Sequence, residues 1–167
     1  ERRILLSVDF GSPVSLDVGQ SPRGVAVADF DSDGTPDLVA SNGTSDDISI
    51  LMGQGDGSFA AEQRYSAGDF PESIATGDFD SDGNMDMAVG NHSSDDVSIY
   101  LGQGDGTFSA QTRFAAGKDP WSVDTGDFDD DGHLDLAVAT QDDDSVSVLL
   151  GHGDGTFSSK TQYGTGE

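Results

Sequence analysis

Twelve aspartates carry the chemistry open to this sequence, in three sets of four: Asp29, Asp31, Asp33 and Asp37; Asp78, Asp80, Asp82 and Asp86; Asp127, Asp129, Asp131 and Asp135. Within each set the carboxylates are spaced two, two and four residues apart, and Gly34, Gly83 or Gly132 follows the third. That spacing converges hard oxygens on one point once the chain turns tightly, and glycine permits the turn. The chemistry is divalent-cation binding. Calcium suits it best, since it takes roughly 6–8 oxygens in flexible geometry, whereas magnesium demands a stricter octahedron and zinc prefers nitrogen and sulfur. By analogy with other carboxylate turns of this kind, the backbone carbonyls of Thr35, Asn84 and His133 add one protein oxygen to each cage. Three Ca2+ sites are expected. Crowded carboxylates raise one another's pKa unless a cation is bound, so the ion is expected to act as a folding ligand.

Two other acidic-turn designs fit less well. The EF-hand shares the D-x-D-x-D-G opening but needs an acidic residue at its twelfth position, which here is Ala40, Val89 or Val138. Glycine-aspartate nonapeptide rolls need the motif in series, whereas Gly-Asp-Gly occurs once per set.

The elements that must position these loops follow from a strict period. The loops begin at Asp29, Asp78 and Asp127, and a glycine turn ends at Phe59, Phe108 and Phe157, so both landmarks recur every 49 residues without insertion. A fixed period of this length signals a repeat architecture. Each repeat reads as four short strands with no helical periodicity, the first set falling near 23–29, 37–41, 47–52 and 63–67. Turn residues at 41–44 and 53–57 join them into an antiparallel meander. The expected fold is all-β: a β-propeller-like array of three four-stranded antiparallel blades over 20–68, 69–117 and 118–167, preceded by a partial repeat over 1–19. Closed propellers have roughly 4–8 blades, so three should not close alone. Phe30, Phe79 and Phe128, between the first two ligands, read as plugs that anchor each loop to its sheet.

Composition limits the partners. The 167 residues carry a formal charge of −25, from 32 acidic against 7 basic side chains, which disfavours nucleic acid and anionic membrane and calls for neutralising cations. Without cysteine there is no disulfide framework and no thiolate metal site. No stretch reads as a membrane span, and no membrane insertion is expected. The opening Glu1-Arg2-Arg3 suggests a processed chain or a segment of a longer one.

The D-F-D-S-D-G-x-x-D loop, the strand pair after it and the L-G-Q-G-D-G-T-F turn resemble the FG-GAP repeat family, including its VCBS-type members, over nearly the whole chain. That family is similar to the blades of the integrin α-subunit propeller. The resemblance implies calcium held by the twelve aspartates, and extracellular scaffolding, adhesion or ligand binding, sometimes as a module attached to an enzyme. It implies no single ligand.

Several features lie outside the loops. Asn42-Gly43-Thr44 and Asn91-His92-Ser93 are N-x-S/T sequons one period apart, expected in an exposed turn and able to carry glycans or simply to serve the turn. Asp46-Asp47, Asp95-Asp96 and the run at 142–144 read as a solvated acidic rim, and His92, His133 and His152 share no repeat position. Trp121 stands where the other repeats have Arg23 and Glu72, which suits either a packing substitution or a sugar-stacking aromatic. Neither a cysteine nucleophile nor a nucleophile elbow is present. The function expected is therefore non-enzymatic: an extracellular, calcium-binding structural or adhesive module that assembles with other copies or with flanking blades into a ring or fibre. Residues 4–6 and 14–18 are the strands expected to be donated or stacked in that assembly. The alternatives are a glycan-binding lectin and an accessory fragment of a larger secreted enzyme, with a protein or glycan ligand in either case.

Overall fold

The computed structural model describes residues 15–166. Among these residues twelve strands form three sheets, each drawn from one repeat. The first holds β1 (Pro22–Ala28), β2 (Asp37–Asn42), β3 (Asp47–Leu51) and β4 (Gln63–Ser66). The second holds β5 (Pro71–Gly77), β6 (Asp86–Asn91), β7 (Asp96–Tyr100) and β8 (Thr112–Ala115). The third holds β9 (Pro120–Gly126), β10 (Asp135–Thr140), β11 (Ser145–Leu149) and β12 (Thr161–Gly164). Every sheet is an antiparallel meander in sequence order, and the register repeats: Ala40 pairs with Ser49, Val89 with Ser98 and Val138 with Ser147. The architecture is the all-β, propeller-like blade array expected, and the three sheets do not close on themselves.

The sheets stack face to face, with β1 against β5 and β5 against β9 at the inner edge. Alternation along the strands decides which residue faces which neighbour. Val39, Ile48 and Ile50 of the first sheet pack against Met87, Val89 and Tyr100 of the second. The other face of the second sheet sends Ala88, Val97 and Ile99 against Val123, Leu136, Val138 and Leu149 of the third. Sandwiched on both sides, β6 is buried at every residue, whereas β10 leaves Ala139 exposed. On the far side of the stack, Val25 and Val27 are exposed on β1.

The leading partial repeat and its strand at 4–6 lie outside the described residues. The strand expected at 14–18 is not formed over 15–18, which carry no regular structure. Their backbone is tied to the first sheet only afterwards, where Gly19 N–H donates to Ser49 Oγ at 3.1 Å and Gln20 N–H to Ser45 Oγ at 3.0 Å.

Candidate metal centres

Each acidic loop joins the first two strands of its sheet and turns back through a left-handed pair of residues. Ser32, Ser81 and Asp130 have φ of 58°, 60° and 60°, and Gly34, Gly83 and Gly132 have φ of 85°, 89° and 91°. The glycine costs little at such angles. The first aspartate then collects the turn's N–H groups. Asp29 accepts from Asp33 at 3.1 Å and Gly34 at 2.9 Å, Asp78 from Asp82 at 3.1 Å and Gly83 at 2.9 Å, and Asp127 from Asp131 at 3.2 Å and Gly132 at 3.0 Å.

One group of three carboxylates converges in each repeat: Asp29, Asp31 and Asp33; Asp78, Asp80 and Asp86; Asp127, Asp129 and Asp135. Within a group the contributed oxygens all lie within 4.8 Å of one another, a spacing that a single cation can bridge. The donors are all hard oxygens, and the electrostatics favour a cation. Burial, with Asp80 and Asp78 adding to it, pushes Asp86 up to about 6, against the pull of the Gly102 and Phe79 N–H groups. Burial is also the main cause that raises Asp80, helped by the charges of Asp82 and Asp78. Asp31 is raised in the same way, by burial and then by Asp33, Asp37 and Asp29.

The remaining aspartates show a second duty. Asp37, outside its group of three, accepts from Phe30 N–H at 2.8 Å and from Gly53 N–H at 2.7 Å. Asp86 and Asp135 make the same pair of bonds, to Phe79 and Gly102 and to Phe128 and Gly151, all at 2.7–2.8 Å. The fourth aspartate is thus a clamp between the acidic loop and the glycine turn. Gly53, Gly102 and Gly151 allow it, because a Cβ there would strike the carbonyl of Pro36, Met85 or Leu134. Asp82 and Asp131, outside their groups, accept from Asn84 and His133 N–H at 2.8 Å each, and Asp33 accepts from Thr35 N–H at 2.6 Å.

A profile describing FG-GAP-like repeats matches residues 29–89, 79–138 and 127–167. The chain belongs to the FG-GAP-like repeat family. Among solved structures, a chain of the Photorhabdus luminescens Tc holotoxin pore is similar, with a TM-score of 0.50 and 16% identity. The match covers 88% of this chain but only 7% of that one, and at this identity it shows the fold alone. No curated protein matches by sequence.

Within these FG-GAP-like repeats, several residues take other positions than expected. The sequon asparagines are not in an exposed turn. Asn42 and Asn91 are buried at the ends of β2 and β6, where Asn42 Nδ2 donates to Asp47 and Ser49 and Asn91 Nδ2 to Asp96 and Ser98, all at 2.8 Å. A glycan on either amide has no room in the fold. The acidic rim is likewise engaged. Asp47 and Asp96 meet Arg64 at 3.1 Å and Arg113 at 2.6 Å, while Asp46 and Asp95 accept from Phe70 N–H at 2.9 Å and Asp119 N–H at 3.0 Å in the next FG-GAP-like repeat. The recurrence of Asp46, Asp95 and Asp144 at the 49-residue period was the signal for this role. Phe30 and Phe79 are plugs, each 1% exposed, but Phe128 is 54% exposed because, among the described residues, no further sheet covers it. His92, which shares no repeat position with the other histidines, is half-buried and contacts Asp119 at 3.2 Å. Trp121 stands edge-on to His92 with ring centres 5.5 Å apart, yet remains 48% exposed.

Proposed function

We propose that this chain is a non-enzymatic, calcium-binding structural or adhesive module of an extracellular protein, in which three ions stiffen three blades and the exposed sheet faces mediate assembly. The observation that carries the reading is the recurrence, once per repeat, of three carboxylates close enough to share an ion. Oxygen-only donors on a flexible turn favour Ca2+ over magnesium or zinc. The residues that would hold the ions are the three groups together with Asp37, Asp82 and Asp131, and the carbonyls of Thr35, Asn84 and His133 complete each set. Bound calcium would offset part of the net charge of −25 and relieve the crowding that raises Asp31, Asp80 and Asp86.

Among the described residues no helix is long and apolar enough to cross a membrane, in keeping with an extracellular location. The exposed Trp121, at the mouth of a hollow of about 370 Å³ with Thr140, Gln141 and Asp144, favours a glycan-binding alternative. That hollow also lies on the open face of the third sheet, where a further blade would sit.

Calorimetric titration of calcium into chelator-stripped protein tests the reading. Three sites are expected, falling to two in Asp80→Ala. Saturation at about 100 times Kd adds roughly 2.7 kcal/mol of stability per site. A melting curve that is the same in calcium and in excess chelator overturns it.

A further inference from the structure

At their outer edge the two joints between sheets are built from the same pair of rings, and they differ by one hydroxyl. At the first joint, Tyr65 of β4 stands edge-on to Phe108 with ring centres 5.8 Å apart, and its hydroxyl accepts the Phe108 N–H at 3.4 Å. At the second, Phe114 of β8 stands edge-on to Phe157 at 5.4 Å. Phe114 has no hydroxyl to offer, and among the described residues nothing accepts the Phe157 N–H. Nor is that N–H used in the glycine turn. Gly151 and Phe157 face each other across a bridge whose hydrogen bonds are made by their neighbours, from His152 N–H to Thr156 at 3.0 Å and from Ser158 N–H to Leu150 at 2.8 Å.

The second joint also holds a hollow of about 390 Å³, lined by Phe114 and Phe157, by Arg113 on β8 and by Lys160 just ahead of β12. Its walls come from the second and third repeats alone, so it does not depend on what covers the open faces. The charges beside it depart from the repeat. Positions 62, 111 and 160 are period-mates and hold Glu, Gln and Lys. On the first sheet, Glu62 and Asp47 together hold Arg64, at 2.9 Å and 3.1 Å. On the second, Gln111 stands in the place of Glu62 and donates to the Ala67 carbonyl at 3.2 Å, which leaves Arg113 with Asp96 alone, through one nitrogen at 2.6 Å. Among the described residues the carboxylate that meets Lys160 is that of Asp143, at 4.0 Å. Two cations with donors to spare thus flank one hollow, in a chain of 7 basic against 32 acidic residues.

We propose that this hollow binds a carboxylate carried on a six-membered ring. Arg113, Lys160 and the Phe157 N–H supply donors for the carboxylate oxygens, and a guanidinium fork can meet two such oxygens at once. Phe114 and Phe157 give the ring an apolar wall. Small-ligand sites occupy roughly 300–1,000 Å³, so a hollow of about 390 Å³ takes one ring and its carboxylate. Arg113 and Lys160 repel a metal ion, and a neutral ring would leave their donors unmet. A sugar acid and an aryl acid share the required chemistry. The site goes beyond the structural reading above and depends neither on bound calcium nor on assembly.

Nitrogen-15 NMR of the full chain in calcium tests it by following two amides. Sodium glucuronate and sodium benzoate are titrated in, against glucose, benzamide and sodium chloride at matched ionic strength. The Phe157 amide should shift and saturate, with a dissociation constant of about 1 mM for at least one acid, and the tighter of the two identifies the source. The Phe108 amide, already bonded to Tyr65, should stay where it is. Phe114→Tyr and Lys160→Gln each install the residue that the first joint carries at the same place, so both should fold, as their thermal melts will check. Each should weaken binding at least about tenfold. No saturable Phe157 shift by roughly 20 mM of either acid, an equal response to the neutral analogues or to chloride, or a folded variant of unchanged affinity overturns the proposal.

Discussion

At the scale of single residues, the aspartates of each loop divide their labour, and the division can be measured. Asp37 is buried and holds two N–H groups, one from the loop and one from the glycine turn, while Asp31 lies in the convergent group of three carboxylates. Removing a buried acceptor leaves its donors unpaired, at about 1–3 kcal/mol for each. Asp37→Asn should therefore lose about 1–3 kcal/mol and Asp37→Ala about 2–6 kcal/mol, even in excess chelator where any ligand role is silent. Asp31→Ala should cost little under that condition. Urea unfolding of the three variants in chelator checks this, and equal losses for Asp31→Ala and Asp37→Ala would reject the clamp. The spacing of the carboxylates was legible from the residues alone. Their second use as clamps was not, because it depends on which backbone the fold brings beside the loop. Asn42 and Asn91 show the same limit: their period was visible, but only the register of β2 with β3 and of β6 with β7 reveals that they are sealed by Asp47, Ser49, Asp96 and Ser98.

At the scale of strands and turns, the fold was largely legible, since alternation and turn chemistry in a meander are both local in sequence. The strands begin and end within a residue of where the pattern places them, as in β2 at Asp37–Asn42 against 37–41. The glycine turns carry a demand that composition alone does not display. Gly102 bridges to Phe108, donates to Asp86 at 2.7 Å, and lies so close to the Met85 carbonyl that a Cβ cannot be placed without moving backbone. Gly164 on β12 has open space around it. Gly102→Ala is thus expected to cost about 1–3 kcal/mol, as overpacking does, whereas Gly164→Ala should stay within about 0.5 kcal/mol. Denaturant midpoints for the pair decide it, and a neutral Gly102→Ala would mean that the clamp tolerates a shifted turn.

At the scale of the whole molecule, stability lies in the joints between sheets, because each sheet alone is one layer with two faces to cover. The recurrence of Asp46 and Asp95 marked one contact, but the period could not reveal which core side chains cross those joints, since they pair positions in different repeats. Among the described residues Tyr100 is the largest fully buried side chain, and its hydroxyl reaches out of the second sheet to donate to the Ser66 carbonyl of the first at 2.7 Å. Burial pushes its phenol well above the ordinary value of about 10. A group whose pKa is raised by folding contributes stability that is whole below the unfolded value and is lost as pH climbs toward the folded one. The chain should therefore weaken progressively above about pH 10, as the unfolded state ionises this tyrosine and the folded state resists. Other alkaline groups titrate in that window, so the informative quantity is a difference. Tyr100→Phe forgoes the Ser66 hydrogen bond and should be about 1 kcal/mol less stable near neutrality. Its stability should then fall less steeply above pH 10, so that the gap to wild type narrows and reverses. Urea midpoints for both proteins from pH 7 to 11.5 measure that gap directly. A constant gap would place the alkaline weakness elsewhere than at this joint.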